Sequence, residues 1–463
     1  MGAAFAALEA LRNELLLFAA IGLLIGGLDD LVVDLIYGAR RVWRSLTVYS
    51  RMPRMTAREL PPPGAAGPIA VFVPAWDEAP VLGAMLNNCL DKWAGDDVHI
   101  FVGVYPNDAG TIDVLVDLIA ERGFDRVTMV VNHRLGPTTK ADCLNHLWRA
   151  LRRWEEAHGR EALAVVLHDA EDVVHPDALR LIGLLAPRFA LVQLPVLPLV
   201  GAGWVAGHYC DEFAEAHGKS LTVREALGAA LPSAGVGCGF NRQALGRVAA
   251  ERGDMPFDAG SLTEDYELGL RLGEAGGRGV LVRMRDARGE LIATREYFPD
   301  TLSAAVRQKA RWTVGIALAG WDRMGWTGRW REGWMRLRDR RAALAALILL
   351  AAYAGLLLAG IVAAGNLMTG RAPAPWPAPL MLLCSFTFAL LIWRLCVRML
   401  FVFRAYGARQ ALLSVPRTVI ANIIAMMAAR RAMVIYWRHL RGQALAWDKT
   451  AHRYPDAAEA RRV

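Results

Sequence analysis

Leu262-Thr263-Glu264-Asp265-Tyr266-Glu267-Leu268 crowds carboxylates into one short stretch, and two other strings give it meaning. Upstream lies Asp169-Ala170-Glu171-Asp172, and downstream lies Gln308-Lys309-Ala310-Arg311-Trp312. Together they make one constellation: oxygen ligands for a hard cation, a carboxylate base, and a floor of Gln, Arg and Trp.

The chain around these strings has the rhythm of strand, loop and helix. Apolar runs at 69–73, 99–104, 127–131 and 163–167 read as buried strands, and 80–90, 112–120 and 140–153 read as helices between them. Such alternation predicts an α/β domain with a mostly parallel sheet covered on both faces. Ligands of open α/β sheets bind beyond the carboxyl ends of the strands. Those positions carry Pro74-Ala75-Trp76-Asp77-Glu78, Tyr105-Pro106-Asn107-Asp108 and His168-Asp169-Ala170-Glu171-Asp172. One acidic loop alone reads as a solvated turn or a helix cap. Three on one edge read as a site.

At 463 residues, 54% hydrophobic and mean hydropathy +0.26, the chain is too apolar for a purely soluble enzyme. The six cysteines are scattered, without a C-x-x-C pair, which indicates neither a zinc site nor a disulfide framework. The formal charge of +8 sits beside apolar segments, at 40–58, 329–341 and 430–441. Basic residues so placed flank membrane spans, and nucleic acid is not an expected partner. A first span is expected at about 11–36, interrupted at one end by Asp29, Asp30 and Asp34, and a hairpin at about 342–364 and 380–403. The organisation is then 1–60, span and basic segment; 61–328, catalytic domain with an interfacial helix at 301–320; 329–403, basic segment and hairpin; 404–463, tail with an interfacial helix at 415–440. The arginine runs predict a cytoplasmic catalytic domain on a multi-pass protein of a bacterial inner membrane.

The strings Tyr105-Pro106-Asn107-Asp108, His168 to Asp172, Gly237-Cys238-Gly239-Phe240-Asn241 and Leu262 to Tyr266, with Q-x-x-R-W at Gln308, resemble the family-2 glycosyltransferases of GT-A fold. That family includes cellulose, chitin and hyaluronan synthases, and within it the strings look most like the bacterial phage-adsorption protein B group. The resemblance covers about 69–321, and Asp-x-Glu stands where Asp-x-Asp is commoner. It implies a Rossmann-like GT-A domain and inverting transfer from a nucleotide-diphosphate sugar, with a UDP-sugar the expected donor, to a growing cell-envelope glycan or exopolysaccharide. The alternative is a catalytically silent membrane scaffold of the same fold.

Residue by residue, Asp169 and Glu171 can both turn toward Mg2+ or Mn2+ on the diphosphate, with Asp172 the fallback ligand if the register shifts by one. The resemblance puts Asp77 and Asp108 at base and ribose, and Lys140, opening Lys140-Ala141-Asp142-Cys143-Leu144-Asn145, near the nucleotide; a solvated first-turn lysine is the plainer reading. Asp265 is the expected base, with Glu264 beside it, although Thr263-Glu264-Asp265 also suits a helix N-terminus with Thr263 as N-cap. Gln308, Arg311 and Trp312 share one helix face: Arg311 can fork onto diphosphate oxygens and Trp312 can carry a sugar ring. Three spans are few for a polymer channel, so either a separate envelope export protein or a homo-oligomer is expected as partner, besides donor, glycan acceptor and lipid bilayer. Asp29 and Asp30 are expected to meet Arg394 and Arg398 within the membrane assembly.

Overall fold

The computed structural model describes residues 2–65, 67–123, 125–443, 453–456 and 460. The chain opens on one long helix, α1 (Gly2–Thr47), and then enters an α/β domain. Among the described residues one sheet forms from β1 (Ile69–Pro74), β2 (Val98–Val104), β3 (Val127–Val131), β4 (Ala164–Leu167), β5 (Leu191–Gln193), β6 (Cys238–Asn241) and β7 (Gly279–Leu281), in spatial order β3-β2-β1-β4-β6-β5-β7. β1 to β4 pair parallel, as do β5 and β7, while β6 enters antiparallel between β4 and β5. The mostly parallel sheet expected from sequence is what forms. The last three strands, of three or four residues each, are too short to leave a period in the sequence.

Alternate residues of β1 feed two cores. Ile69, Val71 and Val73 pack under α2 (Ala79–Lys92), α3 (Ala109–Arg122) and α5 (Ala178–Leu185). Ala70 and Phe72 pack against α4 (Lys140–His158), α8 (Arg242–Ala250) and α9 (Glu264–Glu274), where Leu144, Leu147, Trp148 and Leu151 give α4 its apolar stripe. Burial on both faces is why β1, β2 and β4 read as unbroken apolar runs. Between β5 and β6 come α6 (Gly203–Glu215) and the short α7 (Leu221–Ala226). After β7 come α10 (Leu302–Thr313), α11 (Ala319–Met324) and α12 (Trp330–Arg340).

Among the described residues three helices are long and apolar enough to cross a membrane: α1, α13 (Ala342–Thr369) and α14 (Ala378–Leu440). All three outrun the expected spans. The third expected span and the expected tail helix are two arms of α14, joined at Gly407, whose φ of +82° is open to glycine at little cost. The second arm is not simply interfacial. Val419, Ile423 and Met427 are exposed, but Ile424, Ala428 and Ala432 are buried in cores shared with α6 and α10, and Arg417 forms a buried pair with Asp211 of α6 at 2.7 Å. Small residues let α1 approach α13: a Cβ on Gly22 would fall 2.6 Å from Ile348, and one on Gly355 would fall 2.7 Å from Leu16.

The acidic end of α1 is fully engaged. Asp30 meets Arg394 at 2.8 Å, the contact expected from sequence. Arg398 does not join it but pairs with Glu215 of α6 at 3.2 Å, the carboxylate within its reach. Asp29 and Asp30 instead also take Arg338 and Arg341 from the α12–α13 junction, while Asp34 takes Lys219 at 2.5 Å and Trp393 at 2.8 Å. Charges this costly to bury are tolerated because each has a partner.

Candidate active site

Leu167, the last residue of β4, pairs with Cys238, the first of β6. Because β6 runs antiparallel, the loop leaving β4 (Asp169 to Asp172) and the loop entering β6 (Gly235-Val236-Gly237) meet at the same sheet edge. Of the three acids in the first loop, Asp169 keeps 31% of its side chain exposed and takes the Lys140 ammonium at 2.5 Å. Asp172 is fully buried: one oxygen accepts from His168 Nδ1 at 2.6 Å and from the Asp169 amide at 3.2 Å. Burial, then the charges of Asp169 and Glu171, push its carboxyl well above the usual range. These two bonds brace the turn from within, while its other oxygen is buried without a hydrogen-bond partner. Glu171 is also buried, at 4% exposure.

Lys140 is the first residue of α4, behind the N-cap Thr139, whose hydroxyl accepts from Asp142 N. It is not a solvated lysine. Burial opposes its charge, but Asp169, Glu264 and Asp265 outweigh that and hold it protonated beyond the ordinary lysine range. One turn along, Asn145 is buried and clasps Phe257 through both backbone groups, at 2.8 and 3.1 Å, tying α4 to the segment that leads into α9.

α9 begins at Glu264. Thr263 occupies the N-cap position, yet its hydroxyl makes no capping bond; it is pressed against Gly315, where a Cβ would lie 2.5 Å from it. Asp265 accepts from the Tyr266 amide at 2.8 Å and lies flat against Gly235. Gly235 has φ +78°, and a Cβ there would overlap Asp265 Oδ2, so only glycine leaves the carboxylate room. Burial raises the Asp265 carboxyl, with Lys140 and Arg311 opposing. Glu264 is pushed up to about 7 by burial and by the Asp265 charge.

At the ends of β1 and β2, the exposed Asp77 adopts φ +55° and donates its amide to Asp108 Oδ2 at 2.5 Å; Asp108 Oδ1 in turn caps α3 at Thr111. Trp76 stands edge-on to Tyr105, with centroids 5.2 Å apart, and Asn107 bonds both backbone groups of Gly136. Tyr105 and Asn107, left without roles in the sequence reading, thus shape the loops that carry Asp77 and Asp108.

The Gln308 string lies on α10, which widens into a π turn at 314–318 before α11. Such turns cluster at functional sites. Arg311 makes no ion pair or hydrogen bond among the described residues, while its charge acts on Asp265. Gln308 Oε1 is buried without a hydrogen-bond partner. Trp312 is half-buried in an aromatic cluster with Tyr209, Phe213 and Phe298, so it is less open than a free-standing floor.

Among the described residues no three His, Cys, Asp or Glu side chains converge on a metal position. A hard cation shared with a diphosphate needs only one or two carboxylates. Asp169, Glu264 and Asp265 around the single ammonium of Lys140 leave an excess of negative charge, to which an added cation is suited.

This acidic edge, on a Rossmann-like sheet hung from three apolar helices, defines a GT-A domain with membrane anchors. The profile described as glycosyltransferase like family 2 matches residues 65–315, more than half of the chain, and the chain belongs to that family. The bacteriophage adsorption protein B of Escherichia coli K12 is 40% identical over 466 residues, covering 94% of this chain, as is the bacteriophage N4 adsorption protein B of Escherichia coli O157:H7. The chain spans 61% of the length of both. A mannosyltransferase from Pyrobaculum calidifontis, solved with GDP-Man and Mn2+, has the same fold, with TM-score 0.51 at 17% identity over 89% of this chain and 99% of that one.

Proposed function

We propose that the protein is an inverting, metal-dependent glycosyltransferase that moves a sugar from a nucleotide-diphosphate donor, of the UDP type, onto a cell-envelope glycan or exopolysaccharide. The observation that carries this is Asp265, lying against Gly235 and sharing one edge with the Lys140–Asp169 pair and the uncompensated Arg311. Asp265, flanked by Glu264, takes the proton of the acceptor hydroxyl as that oxygen attacks the anomeric carbon. The sugar–phosphate bond breaks on the opposite face, its electron pair leaves with the diphosphate, and configuration inverts. Arg311 and Lys140 meet the charge of the leaving group, Gln308 and Trp312 line the sugar, and Asp77 and Asp108 face base and ribose. Mg2+ or Mn2+, held by Asp169 with Glu171 nearby, would neutralise diphosphate charge when bound.

The basic segments beside the apolar helices support a catalytic domain on the cytoplasmic side of a bacterial inner membrane, where nucleotide sugars are made. With three spans, product is handed to an export partner or passes through a homo-oligomer. Intact acids and Arg311 weigh against a silent scaffold. The test is release of nucleoside diphosphate from a sugar-nucleotide panel by purified membranes, with Asp265→Asn expected to lose about 10²- to 10⁴-fold in rate while still binding nucleotide. Equal release by that variant removes Asp265 from the mechanism.

A further inference from the structure

Glu267, two residues beyond the base, is 1% exposed. Its Oε1 accepts from Ser261 Oγ at 2.7 Å and from Arg323 of α11, through Nε at 2.9 Å and Nη2 at 2.5 Å. Arg323 Nη2 also reaches Ser261 Oγ at 3.2 Å, and Ser261 Oγ accepts from the Thr263 amide at 3.1 Å. The segment just before the base, Gly260 to Thr263, is thus held by one guanidinium fork at Gly260 and Ser261, besides the bond from the Glu267 amide of α9 to the Thr263 carbonyl at 3.2 Å. The π turn and α11 are themselves seated on that segment: Gly315 of the π turn rests on Thr263, and a Cβ on Gly320 of α11 would stand 3.7 Å from Glu267. From its other side α11 is held by Tyr436 of α14, which donates to Asp322 at 2.7 Å.

We infer that Arg323 is a positioning residue for Asp265: its clamp on Glu267 and Ser261 fixes the turn that aims the base, and makes that aim depend on α11 and the second arm of α14. The inference rests on the glycosyltransferase reading for its effect on rate, but not for the clamp itself. A charge-assisted fork to a buried carboxylate restricts the turn far more than a neutral contact would. A shift of about 1 Å at a reacting group costs about 10²-fold in rate.

Two variants separate positioning from plain stability. Arg323→Met removes the fork and leaves the buried Glu267 only Ser261 and, at 4.0 Å, Arg271; Glu267→Leu with Arg323→Met removes both charges of the clamp. For Arg323→Met, kcat for nucleoside diphosphate release falls about 10²-fold with donor KM within roughly twofold of wild type, and amide hydrogen exchange quickens across 260–266. The double variant regains thermal stability yet keeps the low kcat and the fast exchange. Wild-type exchange in Arg323→Met, or full recovery of kcat in the double variant, overturns the inference. If the wild-type protein turns over no sugar nucleotide, the functional reading fails, and the exchange measurement alone decides the clamp.

Discussion

Gly235→Ala puts a single methyl group into the contact on which the proposed chemistry depends. The backbone there has φ +78°, and holding an L-residue in that region costs about 1 to 2 kcal/mol. The new Cβ would also overlap Asp265 Oδ2 and stand 3.1 Å from its Cγ, so the carboxylate must rotate away or the loop must retreat. Either movement is about 1 Å at the base, which corresponds to about 10²-fold in kcat. Lys140, Asp77 and Asp108 lie on other loops, so donor KM and nucleotide binding should change little. Steady-state release of nucleoside diphosphate, with a melting curve in detergent, separates the two costs: a modest loss of stability and a large loss of kcat. Wild-type kcat in a folded Gly235→Ala protein would refute the placement of Asp265 as base.

Three further outcomes are expected. Because burial holds the Asp265 carboxyl above its ordinary value and the base acts only when ionised, rate should fall as pH drops through that raised value, at a higher pH than for an exposed aspartate; Lys140→Met, removing an opposing charge, should move this acid limb higher still in kcat–pH profiles at saturating donor. Chelation should stop turnover and Mg2+ or Mn2+ restore it, with Zn2+ a poor substitute at an oxygen-ligand site; full activity in chelator removes the metal from the scheme. Asp30→Leu should cost up to about 3 kcal/mol because it takes a carboxylate from Arg338, Arg341 and Arg394 at once and leaves the first two to share Asp29, whereas the half-exposed Arg394→Leu should cost about 1 kcal/mol or less; equal losses in detergent-extracted protein contradict the network.

What could be read from sequence was what is local. The strands β1 to β4 announce themselves as apolar runs, and the acids that follow them fall on one edge because parallel strands leave no choice. Asp169 and Asp172 illustrate the limit: the same side chain three positions apart, one open to a partner lysine and one sealed beneath a histidine, distinguished only by how the turn closes. Gly235 lies against Asp265 through a contact carried by an antiparallel strand of four residues that has no signature of its own. The pairing of Arg398 with Glu215 was hidden for a similar reason, since α6 lies far away in the chain. Asp30 and Arg394 were legible because two helices of known direction fix depth by counting residues.

The bend at Gly407 has a practical bearing on anyone who would cut the α/β domain free of the long apolar helices. A soluble fragment ending before α13 would keep every acid of the edge and still lose Ile424, Ala428 and Ala432, the backing of the helix that carries Gln308, Arg311 and Trp312. Trimming the long apolar helices therefore opens the domain from behind, exposing an apolar scar on α10. Expression screens for this protein should treat membrane and catalytic parts as one folding unit, to be solubilised whole or redesigned with a substitute for the second arm of α14.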